Sequence, residues 1–201
     1  MIAIIDYKVG NLGSIENMLK KLGVEAIITN NIQEIEAAHK LILPGVGAFD
    51  EGMKKLKESG LIPTLDKMVK EDKKPILGIC LGMQLMTKKS EEGSLSGLGW
   101  IDAEVIKFNL NDTSFKVPHM GWNYVNPVKE NNLIQTEEHA RFYFVHSYYV
   151  KCNKSEHILA KSHHGIEFVS VFQSDNIIGI QSHPEKSHKY GLSFLKKFKD
   201  L

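Results

Sequence analysis

Residues 75–86 read P-I-L-G-I-C-L-G-M-Q-L-M, and the bend they encode decides the fold. Ile76–Ile79 is a short apolar run that ends at Cys80, with Gly78 two residues before the cysteine and Gly82 two after it. This is the glycine–x–nucleophile–x–glycine pattern of a strand that turns sharply into a helix. The glycines are needed because such a turn brings backbone against neighbouring elements where a Cβ would clash. The residue at the apex is then held exposed in a strained conformation. A cysteine there gains a second property: the start of the following helix favours a thiolate. The backbone N–H of Leu81 is expected to be free to donate to an oxyanion. The competing reading is that Cys80 is only a small buried hydrophobe, the commonest state of a free cysteine.

Toward the N-terminus, strand-like and helix-like runs alternate. Ile2–Ile5, Val24–Ile28 and Leu41–Leu43 read as buried strands. Leu12, Ile15, Met18, Leu19 and Leu22 recur at helical spacing and end at Gly23, where a helix C-cap belongs. Ile32–Ala38, a stretch with Phe49, Met53 and Leu56, and another with Leu65, Met68 and Val69 complete the set of helices. The alternation predicts a parallel sheet covered on both faces. Beyond Gly93 short strands dominate: Ala103–Lys107, Trp122–Val125, Phe142–Val145, Tyr148–Val150, Ile166–Phe172 and Ile177–Ile180. An amphipathic helix over Tyr190–Leu201 closes the chain. The expected fold is one α/β domain over residues 1–201, with a central, mostly parallel sheet, helices on both faces and an antiparallel extension.

The segment I-Q-S-H-P-E-K-S, Ile180–Ser187, supplies what a cysteine nucleophile needs. His183 follows the last strand-like run, Pro184 stiffens the backbone, and Glu185 comes next. An imidazole holds or returns the thiol proton, and a carboxylate on its far nitrogen orients it. Ligands of open α/β sheets bind beyond the carboxyl ends of the strands, which is where Cys80 and His183 both fall.

Bulk composition narrows the partners. The chain has 201 residues, 42% of them hydrophobic and 24% charged, the balance of a globular protein with one sizeable core. With 25 basic and 24 acidic residues the net charge is +1, which gives no reason to expect nucleic acid or an anionic membrane. No apolar run approaches the ~20 residues of a membrane span, and the opening MIAIIDYKVG reads as a first strand rather than a signal peptide. Two cysteines make no disulfide scaffold, and a cytoplasmic location is expected. His163, His164 and His188 lack ligand spacing with any cysteine or carboxylate and read as surface loop rather than metal site. Cys152 reads as an incidental thiol, and the C-terminal lysines as the solvated face of a helix.

G-I-C-L-G-M-Q around Cys80, together with H-P-E at His183–Glu185, resembles the class I glutamine amidotransferases. Further segments are similar to the glutaminase subunits of imidazole glycerol phosphate synthase: I-I-D-Y at Ile4–Tyr7, L-P-G-V-G-A-F at Leu43–Phe49, P-H-M-G-W-N at Pro118–Asn123 and F-Y-F-V-H-S-Y at Phe142–Tyr148. The resemblance spans essentially the whole chain. It implies a catalytic triad of Cys80, His183 and Glu185, with Gln84, His146, Ser147 and Tyr148 holding the glutamine substrate. It also implies an oxyanion hole from Leu81 and from Gly45, Val46 and Gly47, with the Val46 amide as the switchable donor. Asn11, Met120, Trp122, Asn123, Tyr143 and Lys186 would lie toward a β/α-barrel cyclase, the heterodimer partner that receives ammonia through a protected channel in histidine biosynthesis. No metal or organic cofactor is implied. The sequence departs from the family at Lys8, usually glycine, and at Gly13, usually basic or bulky. Those departures keep open a paralogous glutaminase that feeds another acceptor, such as a sugar amidotransferase. A stand-alone cysteine hydrolase on the same elbow is a further alternative.

Overall fold

The computed structural model describes residues 1–134 and 139–201. Strand β1 (Ile2–Ile5) is followed by α1 (Leu12–Lys21), β2 (Ala26–Thr29), α2 (Ile32–Ala37), β3 (Lys40–Leu43), α3 (Phe49–Glu58), α4 (Ile62–Asp66), β4 (Ile76–Ile79) and α5 (Leu81–Leu85). Strands β5 (Ala103–Lys107), β6 (His119–Tyr124), β7 (Asn126–Pro127), β8 (Arg141–His146), β9 (Tyr148–Cys152), β10 (Ile158–His164), β11 (Ile166–Ser174) and β12 (Ile177–Ile180) precede the terminal α6 (His188–Asp200).

The main sheet runs β2-β1-β3-β4-β12-β11-β10-β7, with β9 pairing β11 and β5 pairing β9. Its first five strands are parallel, and the rest join antiparallel. The expected architecture is therefore the observed one. A separate antiparallel pair, β6–β8, stands beside the main sheet and matches Trp122 with Tyr143 and His119 with His146.

Side-chain alternation along the strands builds two cores, one per face. Ala3, Ile5, Leu41 and Leu43 point to one face and meet Phe49, Met53 and Leu56 of α3. Ile2, Ile4 and Ile42 point to the other and meet Ile15 and Leu19 of α1 and Phe194, Leu195 and Phe198 of α6. On the α3 face, the adjacent strands β4 and β12 carry facing glycines, Gly78 and Gly179. A Cβ at Gly78 would lie 2.7 Å from the Met83 nitrogen, and one at Gly179 would lie 2.6 Å from Met83 Cγ. The paired glycines thus make the trough into which α5 settles.

Two sequence expectations are corrected. His163 and His164 belong to strand β10 rather than a loop; Ala160 and Ser162 are among the strand's buried positions, so its apolar alternation is too faint to read. His163 and His164 end that strand, with His164 half-buried and stacked on His119 at 4.2 Å. His188 opens α6 and stacks on Trp122 at 5.5 Å, so it is no loop residue either. Cys152 is half-buried at the end of β9, and burial pushes its thiol up to about 12.

Candidate active site

Strands β4 and β12 are neighbours in register, Ile79 beside Ile180, so the residues leaving their carboxyl ends emerge side by side. The Cys80 N–H donates to the Ile180 carbonyl at 2.8 Å, and the turn begins there. Cys80 has φ 53°, ψ −110°, a conformation most side chains avoid. Gly82 makes the bend feasible: a Cβ there would stand 1.8 Å from the Leu43 carbonyl oxygen.

From β12 the chain continues to His183, whose N–H donates to the Tyr143 carbonyl of β8 at 2.9 Å. The imidazole Nδ1 meets Glu185 Oε1 at 2.7 Å, with both side chains almost fully buried. The other ring nitrogen, Nε2, is buried without a formed hydrogen bond among the described residues, and the Cys80 thiol is beside it. Burial pulls the His183 pKa down, but the sulfur and the Glu185 carboxylate more than reverse that and raise it to about 10. The imidazole is thus held as a cation against a sulfur, with its orientation set by a carboxylate.

These groups open onto a cavity of 450 Å³. Val46, Gly47, Leu81, Gln84, His146, Ser147 and Tyr148 line it. Gly45 does not line it but enters through its backbone. The Leu81 N–H, expected to be free, donates to the Gly45 carbonyl at 3.3 Å. The Gly45 carbonyl thus takes up the elbow N–H that the sequence reading left free. The Pro44 carbonyl just before it accepts from the buried Tyr7 hydroxyl at 2.5 Å. A Cβ on Gly45 would lie 2.8 Å from that hydroxyl and 2.8 Å from Leu81 Cβ, so only glycine fits.

A directed hydrogen-bond network runs behind the cavity. The Tyr148 carbonyl can only accept, and it takes bonds from His146 Nδ1 (2.8 Å) and Gln84 Nε2 (3.2 Å). His146 Nε2 is therefore an acceptor, and His119 Nδ1 donates to it at 2.9 Å. His119 Nε2 is left bare to accept from Asn123 Nδ2 at 3.1 Å. Both imidazoles are buried and neutral, chiefly through desolvation: His119 is lowered to about 4 and His146 to about 3.

The expected partner-facing residues divide into two sets. Met120 and Trp122 are exposed on one face of β6, with Tyr143 opposite Trp122 and Lys186 Nζ 5.8 Å from the Tyr143 ring centre. Asn11 is exposed just before α1, which packs beside the Pro184–Lys186 turn. Asn123 is the exception: on a strand it must face away from Trp122, and its side chain is bound to His119 and to the His163 carbonyl at 2.8 Å.

Two site residues escaped the sequence reading. Glu92 lines the cavity, its Oε2 accepting the Phe49 N–H at 2.9 Å, and Asp50 holds the same loop by accepting from Ser94 and Leu95. The loop has no periodicity to betray it; only Gly93, where a Cβ would strike Asp50 at 1.9 Å, marks the tight approach. Gln181, immediately after β12, is fully buried and brings its Nε2 to 3.8 Å from Cys80 Sγ.

Fold and site together define an α/β enzyme with a cysteine–histidine–carboxylate centre on a nucleophile elbow. The chain belongs to the family described as Glutamine amidotransferase class-I, whose profile matches residues 3–200, and within it to the HisH proteins. It is 56% identical over 199 residues to imidazole glycerol phosphate synthase subunit HisH 2 of Methanococcus maripaludis, covering 98% of both chains. It is 48% identical over 202 residues to the Pseudomonas aeruginosa protein of the same name, covering 100% of both. Among solved structures, the fold matches a glutamine amidotransferase with a TM-score of 0.73 at 19% identity, over 99% of this chain and 100% of that one. A second glutamine amidotransferase, from Thermotoga maritima, matches with a TM-score of 0.67 at 17% identity, over 99% and 82%.

Proposed function

We propose that this chain hydrolyses glutamine and delivers the ammonia to a β/α-barrel cyclase that makes imidazole glycerol phosphate. The carrying observation is the geometry of one centre: Cys80 strained at the elbow, His183 cationic beside it, and Glu185 at 2.7 Å on the far nitrogen. In this reading Cys80 Sγ attacks the side-chain amide carbon, and the carbonyl electrons move onto oxygen. His183 gives its Nε2 proton to the departing nitrogen as the tetrahedral adduct collapses to a thioester and ammonia. Water, deprotonated by the same imidazole, then releases glutamate and restores the thiol. With both Gln84 N–H groups engaged, its carbonyl is left to accept from the substrate, and the Glu92 carboxylate suits the substrate ammonium.

The engaged Leu81 N–H supports a regulated rather than a free-standing enzyme. While the Gly45 carbonyl takes the Leu81 N–H, that donor is spent and the Val46 amide points elsewhere. Losing one such donor costs about a hundred- to a thousand-fold in turnover. Rotation of the Gly45–Val46 peptide would release one donor and supply another, and the face beside the site formed by exposed Met120, Trp122 and Lys186 with half-buried Tyr143 suits the partner that drives it. The chemistry needs a reduced thiol and a metabolic partner, which fits a cytoplasmic protein.

The test is glutaminase activity measured alone and with a cyclase partner bearing its nucleotide ligand. A low basal rate that rises by about two or more orders of magnitude is expected; an equal rate in both states would overturn the coupling. A second reading, ammonia supply to a different synthase, rests on Lys8. The family's usual glycine would fit its left-handed φ of 67°, whereas here the lysine pairs with Asp6 at 2.9 Å. Failure to co-purify with any barrel cyclase would favour that reading.

A further inference from the structure

The side chain of Gln181 has no exposure, and its two polar ends meet different parts of the site. One end is 3.0 Å from Gln84 Nε2 and the other 3.8 Å from Cys80 Sγ. Which end is oxygen follows from chemistry. The Tyr148 carbonyl has no proton, so the end of the Gln84 amide 3.2 Å from it must be the nitrogen. That nitrogen gives its second proton to Gln181, so the Gln181 end that receives it must be the oxygen. The NH₂ of Gln181 is thereby turned toward the sulfur, with no freedom to flip.

A thiol is a weak acceptor and a thiolate a strong one, so an N–H fixed on Sγ favours the ionised sulfur. It also constrains the direction from which Sγ faces the cavity. We propose that Gln181 is a further catalytic residue, the amide donor that holds the Cys80 thiolate in place from the side opposite its role as acceptor for Gln84. The inference rests on the reading of Cys80 as the nucleophile. It assigns work to a residue that the triad leaves out: His183 carries the proton, and Gln181 steadies the charge that remains. The two glutamine amides and the Tyr148 carbonyl thus link the wall of the substrate cavity to the reacting atom.

The test uses the full chain with Cys152→Ser, so that one thiol remains, and compares Gln181→Met and Gln181→Glu with the parent. Both substitutions approximate the volume, and both remove the donor. The readout is the rate of Cys80 alkylation by iodoacetamide across pH, with folding monitored by thermal melting. A lost hydrogen bond to an ionised group should slow alkylation at pH 7 by about tenfold or more, and the pH–rate profile should move to higher pH. The glutamate variant should be slower than the methionine variant, since it sets an acceptor against the sulfur.

A folded variant alkylated at the parental rate with an unmoved profile would overturn the proposal, even if its melting temperature had dropped, because a purely structural role predicts that result. Should neither variant fold, the ¹⁵N-labelled parent decides: the Gln181 side-chain amide resonance must shift as the thiol titrates, and a stationary resonance refutes the contact. Glutamine turnover that survives complete alkylation of Cys80 would instead sink the nucleophile reading.

Discussion

Lowering the pH should unfold this protein through His119 and His146 before most carboxylates are protonated. In the folded chain these imidazoles sit at about 4 and about 3; in an unfolded chain a histidine titrates near 6.5. The folded state therefore binds fewer protons below pH 6.5, and stability falls as pH falls from there toward the folded values. Each unit costs about 1.4 kcal/mol per group. Between pH 6.5 and pH 5 each imidazole contributes a loss of about 2 kcal/mol, and the pair about 4 kcal/mol as a ceiling. Against a domain stability of about 5–15 kcal/mol, that loss is large enough to decide whether the chain stays folded.

Geometry explains why the rings resist protonation. A proton on His146 Nε2 would face the N–H of His119 at 2.9 Å, and His164, stacked on His119 at 4.2 Å, and His183 add cationic pressure. Phe108, Phe144 and Phe168 surround the rings and offer no counter-charge. The shift at His183 runs the other way: raised to about 10, it adds stability that is complete below pH 6.5 and is lost progressively as pH climbs from there through 10. It cannot offset the acid loss. Urea midpoints at pH 7.5, 6 and 5 should fall steadily, and His119→Gln, with one titrating group fewer, should halve the slope. A flat midpoint, or imidazole resonances of these two residues titrating near pH 6.5, would refute the reasoning.

Four substitutions test other parts of the site. Cys80→Ala should abolish glutamine-dependent synthesis while free ammonia still supports the partner; loss of both would show the residue to be structural. His183→Asn should melt as a folded protein yet lose about a hundred- to ten-thousand-fold in glutamine turnover, so an unchanged rate would refute its role. Gly82→Ala should cost several kcal/mol, in the range of ~1–3 or more for overpacking, because its Cβ would stand 1.8 Å from the Leu43 oxygen; a parental urea midpoint would contradict the close approach. Lys186→Ala should weaken stimulation by the partner more than the basal rate, and equal losses in the two assays would undo its placement at the interface.

Where two periodicities are strong, the sequence suffices. The apolar runs of β1, β3, β4 and β12 and the glycine-flanked cysteine foretell the parallel sheet and the meeting of Cys80 with His183, because short βα units leave few ways to arrange them. Strand β10 is illegible because its inward positions include Ala160 and Ser162. The side of β6 that Asn123 takes is also legible. Met120 and Trp122 share one face of β6, and the period of two already forbids Asn123 from joining them. Glu92 and Gln181 give no signal: one sits on a loop held by Asp50, and the other follows a strand as an ordinary polar residue.

The orientation of the Gly45–Val46 peptide is a harder case, since no residue type records it. In the observed orientation the Tyr7 hydroxyl anchors the Pro44 carbonyl just before the peptide, and turning the peptide would alter no side chain. The bond that favours the observed one, from Leu81 N–H at 3.3 Å, lies beyond the usual range of about 2.7–3.2 Å. A bond of that kind contributes about 1 kcal/mol or less, whereas an oxyanion donor is worth about 2.7–4 kcal/mol at the transition state. On the proposed reading the resting peptide is therefore held by little and released to large effect, and a modest preference of the bound partner for the turned form is enough to switch the glutaminase on.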